Sequence, residues 1–167
     1  MSNFALRPWR NDDLLDLVRH ANDARVAGNM TDGFPHPYTE ASGRAFLERA
    51  TAMHPPRILA ITLDDLAIGS IGVYPQDDIF RRNAEFGYWL TPAYWGRGLM
   101  SRAVPAMVEY AFANLPGVDR LFARPFGSNI ASQRVLEKCG FTLEARLTGT
   151  IIKNGRIEDE LIYAMRR

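Results

Sequence analysis

At 167 residues, the chain is long enough for one domain that buries a substantial core without staples. Hydrophobic residues at 47% and charged residues at 23% are ordinary for a globular protein, and a net charge of +1 gives no argument for nucleic acid or an anionic membrane as partner. One cysteine excludes an internal disulfide framework and fits a reducing compartment. The opening residues lack the apolar run of a signal peptide, and no long apolar span follows, so a cytoplasmic protein without a membrane partner is expected.

Phe4 to Trp9 reads as a first strand, halted by Pro8. Asn11-Asp12-Asp13 supplies capping oxygens and negative charge for a helix through Leu14, Leu15, Leu17 and Val18. Thr31 to Tyr38 carries Gly33, Pro35 and Pro37 and is expected to be a loop. A second helix is expected from Thr39, packing through Ala45, Phe46 and Ala50. Arg57–Leu63 and Leu66–Tyr74 read as a β-hairpin around an Asp64-Asp65 turn. Ala84–Thr91 is the next strand. Arg97–Asn114 reads as a long helix with Ala103, Val104, Met107, Val108 and Ala111 on one face, and Pro105 marks either a kink or a later start. Val118–Ala123 is a short strand, and Ser128–Cys139 a helix that Gly140 ends. Phe141–Ile152 and a last strand through Leu161, Ile162 and Tyr163 flank an Asn154-Gly155 hairpin turn. Hairpins at both ends and helical crossovers between them imply an α/β (α+β) mixed sheet flanked by helices, in one continuous domain over 1–167.

Two segments carry chemistry. In Glu85-Phe-Gly-Tyr-Trp-Leu-Thr-Pro-Ala-Tyr-Trp-Gly-Arg-Gly-Leu-Met-Ser-Arg-Ala103 a strand runs into a glycine-bracketed turn that opens a helix. Such a turn aims backbone N–H groups and the positive end of a helix dipole at one place, which suits phosphate. It is not a dinucleotide fingerprint, because the third glycine position is Ser101. The second segment, Asn129-x-x-Ser132-x-x-Val135-Leu136-Glu137-Lys138-x-Gly140-Phe141, joins a polar helix start to an apolar stripe and a glycine cap. Asn129 and Ser132, three apart, face one direction. Three histidines and one cysteine are scattered without ligand spacing, so no metal site is expected.

Together the two segments resemble the GNAT superfamily of acetyl-CoA-dependent N-acetyltransferases, and more narrowly the branch containing the ribosomal-protein N-terminal (alanine/serine) acetyltransferases. Leu6-Arg7-Pro8, the loop Phe34-Pro35-His36-Pro37-Tyr38-Thr39 and the closing Glu158-Asp159-Glu160-Leu161-Ile162-Tyr163 support the likeness, which covers essentially the whole chain. The resemblance implies an acyl-CoA N-acyltransferase fold of about seven strands, splayed in the middle, with about four helices. It implies acetyl-CoA as co-substrate, its pyrophosphate on Arg97, Gly98, Leu99, Met100, Ser101 and Arg102. Backbone groups of Tyr88, Trp89 and Leu90 would pair with pantetheine, and an N–H there would hold the developing oxyanion. Asn129 and Ser132 would contact the cofactor. Two positions depart from the pattern: Met100 stands where glycine or alanine is usual, and Leu136 where many members carry a tyrosine acid. Ser132 or a bound water would then protonate the thiolate.

Amine attack needs a base, and Glu85 is the candidate, expected to share the face of Gly87 and Trp89. Asp159 and Glu160, on opposite faces of the last strand, are second candidates. His36 and Tyr38 on the loop between the first two helices are expected acceptor contacts. Trp89 and Trp95 both lie near the cofactor, with core packing expected for at least one. Cys139 reads as packing, not a nucleophile. The expected reaction is direct acetyl transfer in a ternary complex to a protein N-terminal α-amine. Two alternatives are a small amine (amino acid, polyamine or antibiotic) as acceptor and a non-catalytic acyl-CoA sensor. Exposed strand edges could support a homodimer.

Overall fold

The computed structural model describes residues 3–167. The elements run β1 (Phe4–Pro8), α1 (Leu14–Ala21), α2 (Ala24–Ala27), α3 (Glu40–Thr51), β2 (Ile58–Leu63), β3 (Leu66–Pro75), β4 (Asn83–Leu90), α4 (Leu99–Asn114), β5 (Arg120–Ala123), α5 (Ile130–Lys138), β6 (Thr142–Lys153) and β7 (Arg156–Arg166). The seven strands form one mixed sheet in the order β1-β2-β3-β4-β5-β7-β6. The β4–β5 pairing is parallel, and the pairings β1–β2, β2–β3, β5–β7 and β6–β7 are antiparallel. The chain folds as two compact units, one of residues up to Gly72 with Tyr88–Ala103, the other of Val73–Gly87 with Val104–Arg167.

In the first unit, Trp9, Leu17, Ala21, Val26, Tyr38, Leu47, Ala50, Ile58, Ala60, Ala67 and Trp89 form one buried cluster. Gly43 lets α3 approach α1 closely: a Cβ there would lie 2.8 Å from Leu14 and 3.0 Å from Val18. Thr39 caps α3 in a box with Ser42. Asp13 is buried, accepting from the Arg10 backbone N–H and from both terminal nitrogens of Arg7, while Arg7 Nε donates to Asp65. One guanidinium thereby joins the first strand, the start of α1 and the β2–β3 turn. In that turn both Asp64 and Asp65 take positive φ, as a tight two-residue hairpin requires.

In the second unit, Ala84, Phe86, Val104, Met107, Ala111, Leu121, Ala123, Leu136, Phe141, Leu161 and Tyr163 are buried, and the Phe86 and Phe141 rings meet at 5.6 Å. The helix α5 ends as its sequence implies. Gly140 takes φ +90°, its N–H donates to Glu137, and the Phe141 N–H donates to Leu136. Parallel pairing of β4 with β5 spans Asn83–Glu85 against Arg120–Phe122, while β4 itself continues to Leu90. Pro125, which has no N–H to donate, follows soon after β5 ends; its carbonyl accepts from Leu161 on β7.

Several local expectations shift. The four-residue α2 was not anticipated, being too short to leave a periodic pattern. Of the expected packing residues of α3, Ala50 is buried and Phe46 packs against the core, but Ala45 is exposed; Gly43 and Leu47 complete the buried i, i+4, i+7 stripe with Ala50. The long helix starts at Leu99, not Arg97, because Gly98 at φ +71° lies outside helical space, and Pro105 sits within it without ending it.

Candidate functional site

In the first unit the stretch from β4 to α4 is held largely by backbone. Gly69 on β3 allows a close approach, since a Cβ there would lie 2.4 Å from the Trp89 carbonyl oxygen. The Thr91 N–H donates to Ile68 at 2.9 Å. Burial on β4 alternates through Gly87 and loses the alternation at Tyr88, so Trp89 is buried rather than half-open like Glu85 and Gly87. The Trp89 ring meets Phe34 at 5.9 Å and belongs to the core. Trp95 is exposed, yet its indole N–H donates to the Leu90 carbonyl at 2.7 Å, which fixes the end of β4. A 3-10 turn over Pro92–Tyr94 leads to Gly96 and Gly98, both at positive φ, and then to Leu99 at the head of α4.

That helix start carries no acid in its first turn. Arg97 lies with its guanidinium 4.9 Å from the Tyr94 ring, and Arg102 4.3 Å from the Phe4 ring. Met100 and Ser101 are half-buried and Leu99 is buried. The arrangement offers backbone donors, a helix dipole and two nearby cations to an anion. Arg25 of α2, paired with Asp23, reaches to 6.0 Å from the Trp95 ring. His20 and Tyr94 rings stand 6.5 Å apart, and burial pushes the His20 imidazole below its ordinary range. Neither α1 nor α2 was expected to brace this turn; the signal lies in tertiary contacts.

In the second unit, Asn129 is the N-cap of α5 and its side-chain oxygen accepts from the Ser132 N–H at 3.2 Å. The two residues are therefore in contact with each other at the helix start. Leu136, where the resemblance leads one to expect a tyrosine acid, is fully buried. The Tyr163 hydroxyl donates to Glu137 at 2.7 Å and is pushed up to about 12, chiefly by burial. Glu85 is half-exposed on β4, with Arg124 Nε 3.9 Å from its Oε1. The same nitrogen lies 2.6 Å from Glu160 Oε1. Asp159 points elsewhere, accepting from Arg146 Nε and the Gly149 N–H. Arg124 had no motif to announce it; its partners are far away in sequence.

His36 is exposed, on a cis bond to Pro37. Tyr38 is not an open loop side chain: it is buried against Phe34, and desolvation pushes its hydroxyl up to about 12. Burial also raises the Cys139 thiol. Among the described residues no group of His, Cys, Asp and Glu is placed to hold a metal ion, and no helix is long and apolar enough to cross a membrane.

Comparison with known proteins adds four findings. The model of the acetyltransferase (GNAT) domain matches residues 3–142. The uncharacterized N-acetyltransferase YoaA of Bacillus subtilis is 37% identical over 98 residues, covering 59% of this chain and 54% of that protein. The chain thus spans about half the length of the first curated relatives it matches. The spermidine N(1)-acetyltransferase of Escherichia coli is 26% identical over 162 residues, 93% of this chain and 82% of that protein. Among solved structures, the ribosomal L7/L12 alpha-N-protein acetyltransferase RimL in complex with coenzyme A superposes with a TM-score of 0.83 at 19% identity, over 98% of this chain and 93% of that one. That likeness is one of fold, a mixed seven-stranded sheet with its helices.

Proposed function

Because the chain belongs to the acetyltransferase (GNAT) domain family, we propose that it moves the acetyl group of acetyl-CoA to a primary amine, the α-amine of a protein N-terminus, in the cytoplasm. The observation that carries the reading is the turn at Gly96–Gly98. Two left-handed glycines lead into α4, whose first turn holds no acid, inside the family-matched region. In this reading Arg97, Gly98, Leu99, Met100, Ser101 and Arg102 hold the pyrophosphate. Tyr88, Trp89 and Leu90 offer backbone groups to pantetheine, and Asn129 and Ser132 contact the cofactor. Trp95 fixes the end of β4 by donating to the Leu90 carbonyl.

Acetyl-CoA supplies an activated acyl group. Glu85 takes a proton from the acceptor amine, a backbone N–H near Trp89 faces the developing oxyanion, and Ser132 or a water returns a proton to the departing sulfur. The exposed His36 lies on the acceptor side, and Tyr38 shapes that loop from within. The spermidine enzyme among the relatives favours a second reading, a small polyamine as acceptor. Against it, Glu85 and Glu160 share the cation of Arg124, which leaves one net negative charge for an acceptor with several positive ones.

An assay of thiol release from acetyl-CoA, run against N-terminal peptides and small amines, tests the reading. Turnover with peptides and not with spermidine is the expected result, and the reverse selects the polyamine. Cofactor binding without turnover on any amine overturns the enzyme reading in favour of a sensor. Glu85→Gln should lower kcat about 10²-fold, the loss typical of a removed general base; an unchanged kcat removes Glu85 from the mechanism.

A further inference from the structure

The second unit holds one cation unequally shared between two carboxylates. Arg124 Nε stands 2.6 Å from Glu160 and 3.9 Å from Glu85, so only the first contact is at hydrogen-bonding distance. The strands explain the inequality. Past β5 the chain runs alongside β7, with Phe126 bridged to Glu160 and the Pro125 carbonyl accepting from Leu161. The Glu160 side chain is 15% exposed and the Arg124 side chain 48% exposed, so a nearly fixed acid holds an arginine with room to move. Three other charges on these strands have partners of their own: Arg120 with Glu144 and Asn83, Asp159 with Arg146, and Arg166 with Glu144.

We propose that Glu160 is a positioning residue that anchors Arg124 and thereby keeps the guanidinium off Glu85. A carboxylate in close contact with an arginine accepts a proton poorly, because the cation favours its charged form. Held by Glu160, Arg124 stays close enough to balance the paired carboxylates and too far to cover the base. The proposal rests on the reading of Glu85 as the base. It makes a sign-specific claim. Removing Glu160 alone releases Arg124 towards its next carboxylate, Glu85, and harms the reaction. Removing both members of the pair relieves that harm.

The test is a kinetic cycle on the full chain with the best peptide acceptor. Glu160→Gln should lower kcat about tenfold with the KM for acetyl-CoA unchanged. Glu160→Asp should retain most activity. The double variant Glu160→Gln/Arg124→Gln should recover to within about threefold of the starting enzyme. A double variant as impaired as Glu160→Gln, or more so, overturns the proposal. A second readout does not depend on catalysis: the Arg124 Nε–H resonance. In Glu160→Gln it should stay protected from exchange, and it should lose protection when Glu85→Gln is added. Protection lost in Glu160→Gln alone shows that Arg124 does not move to Glu85, and overturns the anchoring. If Glu85→Gln leaves kcat unchanged, the base assignment falls, and the Arg124 signal still decides the anchoring.

Discussion

The turn that opens α4 and the charged face around Glu85 are built by different means. The turn is made of consecutive residues whose work is done by backbone: two glycines at positive φ, a carbonyl held by the Trp95 indole, and a helix start free of acids in its first turn. The face is made of side chains from separate strands, Glu85 on β4, Arg124 just beyond β5 and Glu160 on β7. Backbone devices need particular residue types at fixed spacings and so leave marks in a sequence. A cross-strand ion pair needs only opposite charges, which surround every surface. The first region should therefore tolerate few substitutions of any kind, and the second, apart from the proposed base Glu85, should tolerate changes that keep its charge balance.

The largest expected effect lies where β3 meets β4. A Cβ at Gly69 would lie 2.4 Å from the Trp89 oxygen and 3.1 Å from the Leu90 Cα, contacts that only a backbone shift can relieve. Gly69→Ala should cost about 3 kcal/mol of stability, at the upper end for overpacking, read from a urea midpoint. Unchanged stability would mean that the end of β4 is no more constrained than the charged face. Gly98→Ala probes the same region differently. Nothing lies within 4 Å of a Cβ there, so the cost comes only from φ +71°. A loss of about 1–2 kcal/mol is expected, accompanied by a raised KM for acetyl-CoA. Gly98→Asn should fall between glycine and alanine, because asparagine enters left-handed space more readily. Equal effects of Ala and Asn would show that a side chain, not backbone conformation, is what the turn excludes.

The same division governs what could be read in advance. Asp64-Asp65 and Asn154-Gly155 were legible as hairpin turns because their positive φ demands such residues. Gly140 was legible as a helix stop for the same reason, and Phe141 closes the cap. The α4 start was misplaced by two residues because Gly98 serves the turn rather than the helix. Ala45 was read as buried and Leu47 was not named, since spacing alone does not phase a helix against its neighbour; Gly43, pressed on Leu14 and Val18, sets that phase. At the site, Glu85, Asn129 and Ser132 were singled out by their motifs. Arg124 was not, because its two partners are supplied by the strand order and not by the local sequence.

A smaller effect separates the two roles of Asn129, helix cap and cofactor contact. Its oxygen accepts from the Ser132 N–H, a capping interaction whose loss in Asn129→Ala should cost about 1 kcal/mol. Asn129→Asp keeps an acceptor and should restore stability, while bringing negative charge to a position proposed to face an anionic cofactor. If stability and the KM for acetyl-CoA recover together in Asn129→Asp, the residue is a cap and nothing more. Recovery of stability with a KM still raised assigns it both roles, and extends backbone-type legibility to the second motif.

The smallest effect is expected at Cys139, which belongs to neither region. Its backbone N–H donates to Val135 and Leu136 as α5 closes, and burial holds its thiol above the ordinary cysteine range. The thiolate is the reactive form, so a raised thiol is a poor nucleophile at neutral pH, even with Lys138 opposing the shift. Cys139→Ala should leave kcat and both KM values within about twofold, the range of a mild packing change. Loss of turnover, together with an acetyl group found on Cys139 by mass spectrometry in the unsubstituted enzyme, would mean that acetyl passes through the thiol. The reaction would then run in two covalent steps, and Glu85 would have to activate a thiol instead of an amine.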